Sequence, residues 1–194
     1  PPRPRTQHAP QISPFYLARM PMERFTLAEA LKQSGYRTGH CGKWHISKNH
    51  YDYPKPYHHG FDSSVHNRGV QVPMKPDRLT GFATSNPEDP YRLDENGFPF
   101  DTPQQAALDF LQTNKEEPFF LYYATWLVHA PIVMRSEALL RKYEAKLGVT
   151  LKPEHATTWK IPGQTNPFYC AMVEQLDYYV GQVIEYLESN DDPR

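Results

Sequence analysis

The chain has 194 residues and 22.5 kDa, with 21 Lys and Arg against 22 Asp and Glu, a formal net charge of -1 and a sequence pI near 6.9. That length can bury one domain-sized core. The balanced charge excludes a general nucleic-acid binder, and the lack of any apolar run of about eighteen residues excludes a membrane-spanning helix. No basic-then-apolar segment opens the chain, so no signal peptide is visible. Mean hydropathy is -0.73, yet 39% hydrophobic and 13% aromatic content speak against wholesale disorder. The 20 prolines, roughly twice the usual share, are scattered and point to a loop-rich globular protein.

Taken in chain order, residues 1–22 read as irregular, because Pro1, Pro2, Pro4, Pro10, Pro14 and Pro21 forbid a long regular element. Thr26-Leu27-Ala28-Glu29 is a capping box that opens a helix with Leu27, Ala30, Leu31 and Ser34 on one stripe and Gly35 after its end. Residues 36–41 then read as a short strand. Residues 46–100 show no sustained period and read as a loop-rich insertion. Thr102-Pro103-Gln104-Gln105 reads as a second capping box with Thr102 as N-cap, followed by a helix burying Ala106, Ala107, Phe110 and Leu111. The apolar run 118–124 suits a strand covered on both faces. A helix is predicted over 136–147, with Gly148 closing it, and a last one from Asn166-Pro167 to about Ser189. The core stripe predicted for that last helix is Met172, Leu176, Val180, Val183, Ile184 and Leu187. The alternation of helix and strand is an α/β pattern with a central sheet flanked by helices.

Two strand exits carry chemistry-bearing residues. At the first, Cys41-Gly42-Lys43-Trp44-His45, a glycine turns the backbone and a Lys and a His follow. A lysine there offers a compact positive charge to an oxyanion, and a His can donate or accept a proton. At the second, Val128-His129-Ala130-Pro131 follows the strand at 118–124. Both also admit a plainer reading, as a surface lysine beside a packed Trp-His pair and as a capping or core histidine. The two exits lie on one edge only if the strands are parallel. Cys41 and Cys170 lack metal-site spacing and read as small buried hydrophobes. His58-His59 reads as surface polarity, and His50, His66 and His155 show no ligand spacing. The stretch from Ser63 to Asn96 could shape a pocket, with Arg68, Lys75 and Arg78 on a solvated face by default.

Gly35-Tyr36-x-Thr38-x-x-x-Gly42-Lys43-Trp44-His45 resembles the second signature of the type I sulfatases, in the alkaline phosphatase superfamily. The helix from Thr26, the segment His59-Gly60-Phe61-Asp62, the strand 118–124 with His129-x-Pro131, and Ala171-Met172-Val173-Glu174-Gln175-Leu176-Asp177 resemble further blocks of that family in the same order. The resemblance implies a sulfatase, or alkaline-phosphatase-like, α/β domain over residues 1–194, truncated at both ends. It implies that Lys43 binds sulfate oxygens and that His45 contacts the nucleophile and helps expel sulfate. His129 would sit by the ester oxygen, bind substrate there and protonate the leaving alcohol. The family's calcium ion and formylglycine nucleophile are implied as cofactors. No Cys/Ser-x-Pro-x-Arg motif occurs in this sequence, and Asp191-Asp192, after a helix, reads as a loop and not as a ligand pair. Their source, on this reading, is outside the chain, which alone would not hydrolyse a sulfate ester. The substrate implied is a sulfated small molecule or polysaccharide, with an anionic sulfated sugar ahead of a simple aryl sulfate, and the setting periplasmic, secreted or lysosomal. The rivals are a phosphoryl or phosphonate hydrolase of the same superfamily and a non-catalytic module that binds sulfated glycans.

Overall fold

The computed structural model describes residues 19–47, 49, 51–157, 161 and 165–190. Most of the proline-rich start, His50 and Asp191-Asp192 lie outside these residues. Helix α1, Leu27–Gln33, is opened by the predicted capping box: Thr26 N–H donates to Glu29 Oε2 at 2.7 Å, and Glu29 N–H donates to Thr26 Oγ1 at 3.3 Å. The Thr26 hydroxyl also donates to His59 O at 2.9 Å, which ties the helix to a distant turn. Strand β1, Arg37–Gly42, follows α1 directly. Strand β2, Ser63–Val65, lies inside the predicted loop region, just after a 3-10 turn at Pro56–His59. Then come α2 (Thr102–Thr113), β3 (Phe119–Ala124), α3 (Glu137–Leu147) and α4 (Pro167–Ser189).

The strands form a parallel sheet in the order β2-β1-β3. Arg37 faces Phe119 at one end of the β1–β3 ladder and Gly42 faces Ala124 at the other. β1 is central and buried from Thr38 to Gly42. On one face α2 lies so close that a Cβ on Gly39 would come 2.6 Å from the Phe110 ring. On the other face Ala28, Trp44 and Phe61 form a core against Phe120 and Ile46. A second core, Met134, Leu139, Leu140, Phe168, Ala171 and Met172, joins α3 to α4. Leu127 and Val128 pack against that core, so the segment leaving β3 is anchored on the helices.

Several predicted features are corrected. The N-cap of α2 is Asp101 and not Thr102: its carboxylate accepts from Gln104 N–H at 3.1 Å and from Val70 N–H at 2.8 Å. Asp101 thereby caps the helix with Oδ2 and pins the loop after β2 with Oδ1, two separate acceptor atoms where a hydroxyl has one. β3 is not covered on both faces: it borders the described sheet, and Tyr122 is 48% exposed. The inward face of α4 carries Phe168, Ala171, Met172, Gln175 and Tyr179, whereas Val180 and Ile184 are exposed. Gln175 donates to the Tyr179 hydroxyl at 2.8 Å and that hydroxyl donates to Pro99 O, so polar side chains can line the interior there. His59 is not surface polarity but fully buried, 6.2 Å from the Trp44 ring, and burial lowers its pKa. Cys41 is buried as predicted, but Cys170 is only half-buried.

Gly42 is the residue on which the geometry of the first exit turns. Its φ of +108° is strained for any side chain, and an added Cβ would meet Ala124 O at 2.1 Å. Gly42→Ala is expected to destabilise the protein by about 2–4 kcal/mol, because strain and backbone overlap add. Urea unfolding of the variant against the parent measures it, and an unchanged midpoint would refute this account of the turn.

Candidate functional site

Because β1, β2 and β3 run parallel, their C-terminal ends share one edge, the place where α/β sheets gather ligands. Lys43 leaves β1 at this edge and its N–H donates to Ala124 O, the last carbonyl of β3. Its ammonium stands 4.9 Å from the centroid of the Trp126 ring. The His129 ring meets the same indole edge-to-face at 5.9 Å. The structure thus brings Lys43 and His129 together around one buried tryptophan. His45 is exposed two residues beyond Lys43, on the segment that leaves β1.

The His129 loop is held by backbone acceptors. His129 N–H donates to Trp126 O at 2.8 Å, and Gln71 Nε2 donates to His129 O at 2.7 Å and to Pro131 O. His129 Nδ1 lies 2.8 Å from Ala130 O. A carbonyl only accepts, so Nδ1 carries the hydrogen and Nε2 is left to take up and deliver a proton. Arg68 Nη2 donates to the same Ala130 O at 2.9 Å, and its guanidinium stands 5.0 Å from the Trp126 centroid. Trp126, Gln71 and the role of Arg68 were not read from the sequence. For Trp126 the one available signal was its place just after the predicted strand 118–124; Arg68 follows β2, which the sequence did not show.

Behind Lys43 runs a relay that starts at the buried His40 and ends at the half-buried His66. His40 Nε2 lies 3.2 Å from Lys43 O, its Nδ1 lies 3.2 Å from Ser64 Oγ, and Ser64 Oγ lies 3.1 Å from His66 Nδ1. The Lys43 carbonyl can only accept, so His40 donates from Nε2 and accepts at Nδ1 from the Ser64 hydroxyl. Ser64 in turn accepts from His66 Nδ1–H. His40 is fully buried among the rings of Trp44, Phe61 and Tyr122, at 5.2, 5.5 and 5.6 Å. Burial pushes its pKa down to about 4, so the ring is neutral at pH 7. Cys41 is no nucleophile: burial pushes its thiol up to about 12. Among the described residues no three His, Cys, Asp or Glu side chains gather to hold a metal ion, so these residues do not form a calcium cage.

The sulfatase family profile matches residues 4–194. The chain is 29% identical over 163 residues to an arylsulfatase of Hemicentrotus pulcherrimus, covering 76% of this chain and 29% of that protein. It is 29% identical over 157 residues to an N-acetylgalactosamine-6-sulfatase of Mus musculus, covering 73% and 29%. The chain therefore spans 29% of the length of these two relatives. Among solved structures it matches i-CgsB in complex with k-i-k-neocarrahexaose, with a TM-score of 0.54, 24% identity, and 89% of this chain and 38% of that one covered. It also matches a protein solved with its substrate D-glucosamine-2-N,6-O-disulfate, with a TM-score of 0.51, 18% identity, and 90% and 48% covered. These structural likenesses carry the fold, an α/β fold of the alkaline-phosphatase-like kind.

The relay has a measurable pH signature. Unfolded, His40 titrates near pH 6.5; folded, it stays neutral down to about pH 4. The unfolded chain therefore binds the extra proton between these values, and stability falls as pH drops from 6.5 to 4 by about 3 kcal/mol. Asp101, pushed up to about 6 by burial, acts with the opposite sign in the same range. Comparing His40→Gln with the parent by urea unfolding at pH 4.5 and 7 isolates the histidine. The variant is expected to lose that part of the slope, and equal slopes would overturn the assignment.

Proposed function

The chain belongs to the sulfatase family, and on that premise we propose that it is the part of a sulfuric-ester hydrolase that binds the sulfate group and protonates the leaving alcohol. The observation that carries this reading is the convergence of Lys43 and His129 on Trp126 at the shared strand edge. Lys43 supplies a fixed positive charge to the sulfate oxygens. Its strand-end backbone is locked to β3, so the charge needs little reorganisation as negative charge develops. His129 keeps its Nδ1 hydrogen on Ala130 O, so Nε2 is the nitrogen that delivers a proton to the departing alkoxide. His45 takes the role at the nucleophile that the family resemblance assigns to it. Calcium and formylglycine belong to the family in general; the described residues do not assemble a site for the metal, and no step here runs through either group.

The substrate we propose is a sulfated carbohydrate. One relative is named an N-acetylgalactosamine-6-sulfatase, and two structural neighbours were solved with a neocarrahexaose and with a glucosamine disulfate. A sugar alkoxide is a poor leaving group, which is the situation in which a positioned general acid contributes most.

Two variants of the full-length protein test this reading. Lys43→Ala is expected to lower kcat/KM for sulfate release by about 100- to 1,000-fold, as loss of an oxyanion-stabilising group does. His129→Ala is expected to lower kcat for a sulfated sugar by about 100-fold or more. The same variant should lose much less on 4-nitrophenyl sulfate, whose leaving group needs no proton. Sulfate release followed by ion chromatography is the measurement. Equal losses on both substrates would remove His129 as the acid, and full activity of Lys43→Ala would sink the proposal.

A further inference from the structure

Two cations flank Trp126, and only one is used above. The Lys43 ammonium and the Arg68 guanidinium stand 4.9 and 5.0 Å from the same ring centroid, so they are at most about 10 Å apart. Among the described residues neither forms an ion pair with a carboxylate. Arg68 Nη2 reaches Ala130 O, while its Nε is buried without a hydrogen-bond partner.

The other arginines nearby behave differently. Arg78 is 6% exposed and donates to His155 O and Ile132 O at 2.6 and 2.7 Å, stacked 4.1 Å from the Phe168 centroid. Arg135 is 5% exposed, donates to Val70 O and Val72 O at 3.0 and 2.8 Å, and lies over Tyr91. Both are spent on main-chain carbonyls inside the fold, which corrects the solvated-face reading for Arg78. Arg68 is half-buried at the rim, makes one such bond, and keeps the rest of its donor fork. Two like charges this close, with no acid between them, repel each other. The arrangement is relieved by an anion on each, and a guanidinium fork suits a sulfate or carboxylate.

We infer that Arg68 forms a second anion subsite and takes a further negatively charged group of a sugar whose scissile sulfate lies at Lys43. This rests on the sulfatase reading above and adds to it a substrate class, a sugar carrying at least two anionic groups. Arg68 reaches the His129 loop through Ala130 O, so the second group would sit on the leaving-group side of the scissile sulfate.

The test uses the full-length protein and a pair of disaccharides, one disulfated and one monosulfated at the scissile position. Arg68→Gln is expected to raise KM for the disulfated sugar about tenfold more than for the monosulfated one, the size of one lost charge-assisted contact. An equal change on both sugars would make Arg68 a brace of the loop and overturn the inference. Calorimetric binding of the same two sugars reads the subsite without turnover. If Lys43→Ala still hydrolyses both sugars while Arg68→Gln loses the binding preference, the assignment of Lys43 to the scissile sulfate fails and the second anion subsite stands. Should Arg68→Gln not fold, calorimetry on the parent protein decides: tighter binding of the disulfated than of the monosulfated sugar supports the subsite, and equal binding overturns it.

Discussion

Everything at the candidate site hangs on one seam, the end of the β1–β3 ladder where Gly42 lies opposite Ala124 and Lys43 N–H donates to the Ala124 carbonyl. That carbonyl sits where a Cβ on residue 42 would have to be, so only glycine lets the two strand ends close. With the ends closed, Lys43 and Trp126 emerge side by side, and the ammonium reaches the face of the indole. A parallel sheet makes this possible at long range. Lys43, Arg68 and His129 lie far apart in sequence, yet each follows the C-terminal end of a strand, so the sheet delivers all three to one edge.

The seam is supported from behind by polar groups that share one property: each is satisfied by main chain or by a partner of fixed direction. Burial keeps His40 neutral, and the Lys43 carbonyl, which only accepts, then fixes its tautomer, with Ser64 donating to the other nitrogen. Asp101 holds the start of α2 with one oxygen and the loop after β2 with the other. Arg78 clamps carbonyls of two separate segments, at His155 and Ile132, and Arg135 clamps two carbonyls of one loop, at Val70 and Val72. Buried polar groups of this kind contribute modestly to stability but strongly to uniqueness, since an incorrect register would leave them unpaired. The long irregular stretch between β1 and α2 can therefore be well defined with little regular structure.

Local chemistry made much of this legible in the sequence. The capping box at Thr26 appears as read, and the helices predicted to begin at Ser136 and at Asn166-Pro167 start one residue later on those side chains as caps, with Gly148 just past the end of α3, because each depends only on residues within one helical turn. The β1 exit was legible from Gly42 and the strand at 118–124 from an unbroken apolar run, while their parallel pairing stayed a condition that the ladder meets. What escaped depends on distant partners. Ser63-Ser64-Val65 has no apolar alternation and becomes a strand because β1 offers it an edge. Asp101 outcompetes Thr102 as cap because Val70 lies within its reach. On α4 the stripe was read from hydrophobicity alone, but Gln175 and Tyr179 go inward because Pro99 O completes their hydrogen bonds. His59 read as polar and is buried because Thr26 and Trp44 close over its turn.

The same distinction separates the residues that build the edge from those left available at it. Tryptophan at position 126 is large enough to be touched by a lysine from β1, an arginine from the loop after β2 and a histidine from its own loop. It is buried, so its face offers a low-dielectric floor on which cations are attracted by the ring and poorly screened by water. A cation held that way keeps its hydrogen-bonding capacity, whereas one held by a carboxylate spends it. Holding positive charge with an aromatic face instead of an acid is thus what leaves the edge of this sheet able to receive an anion.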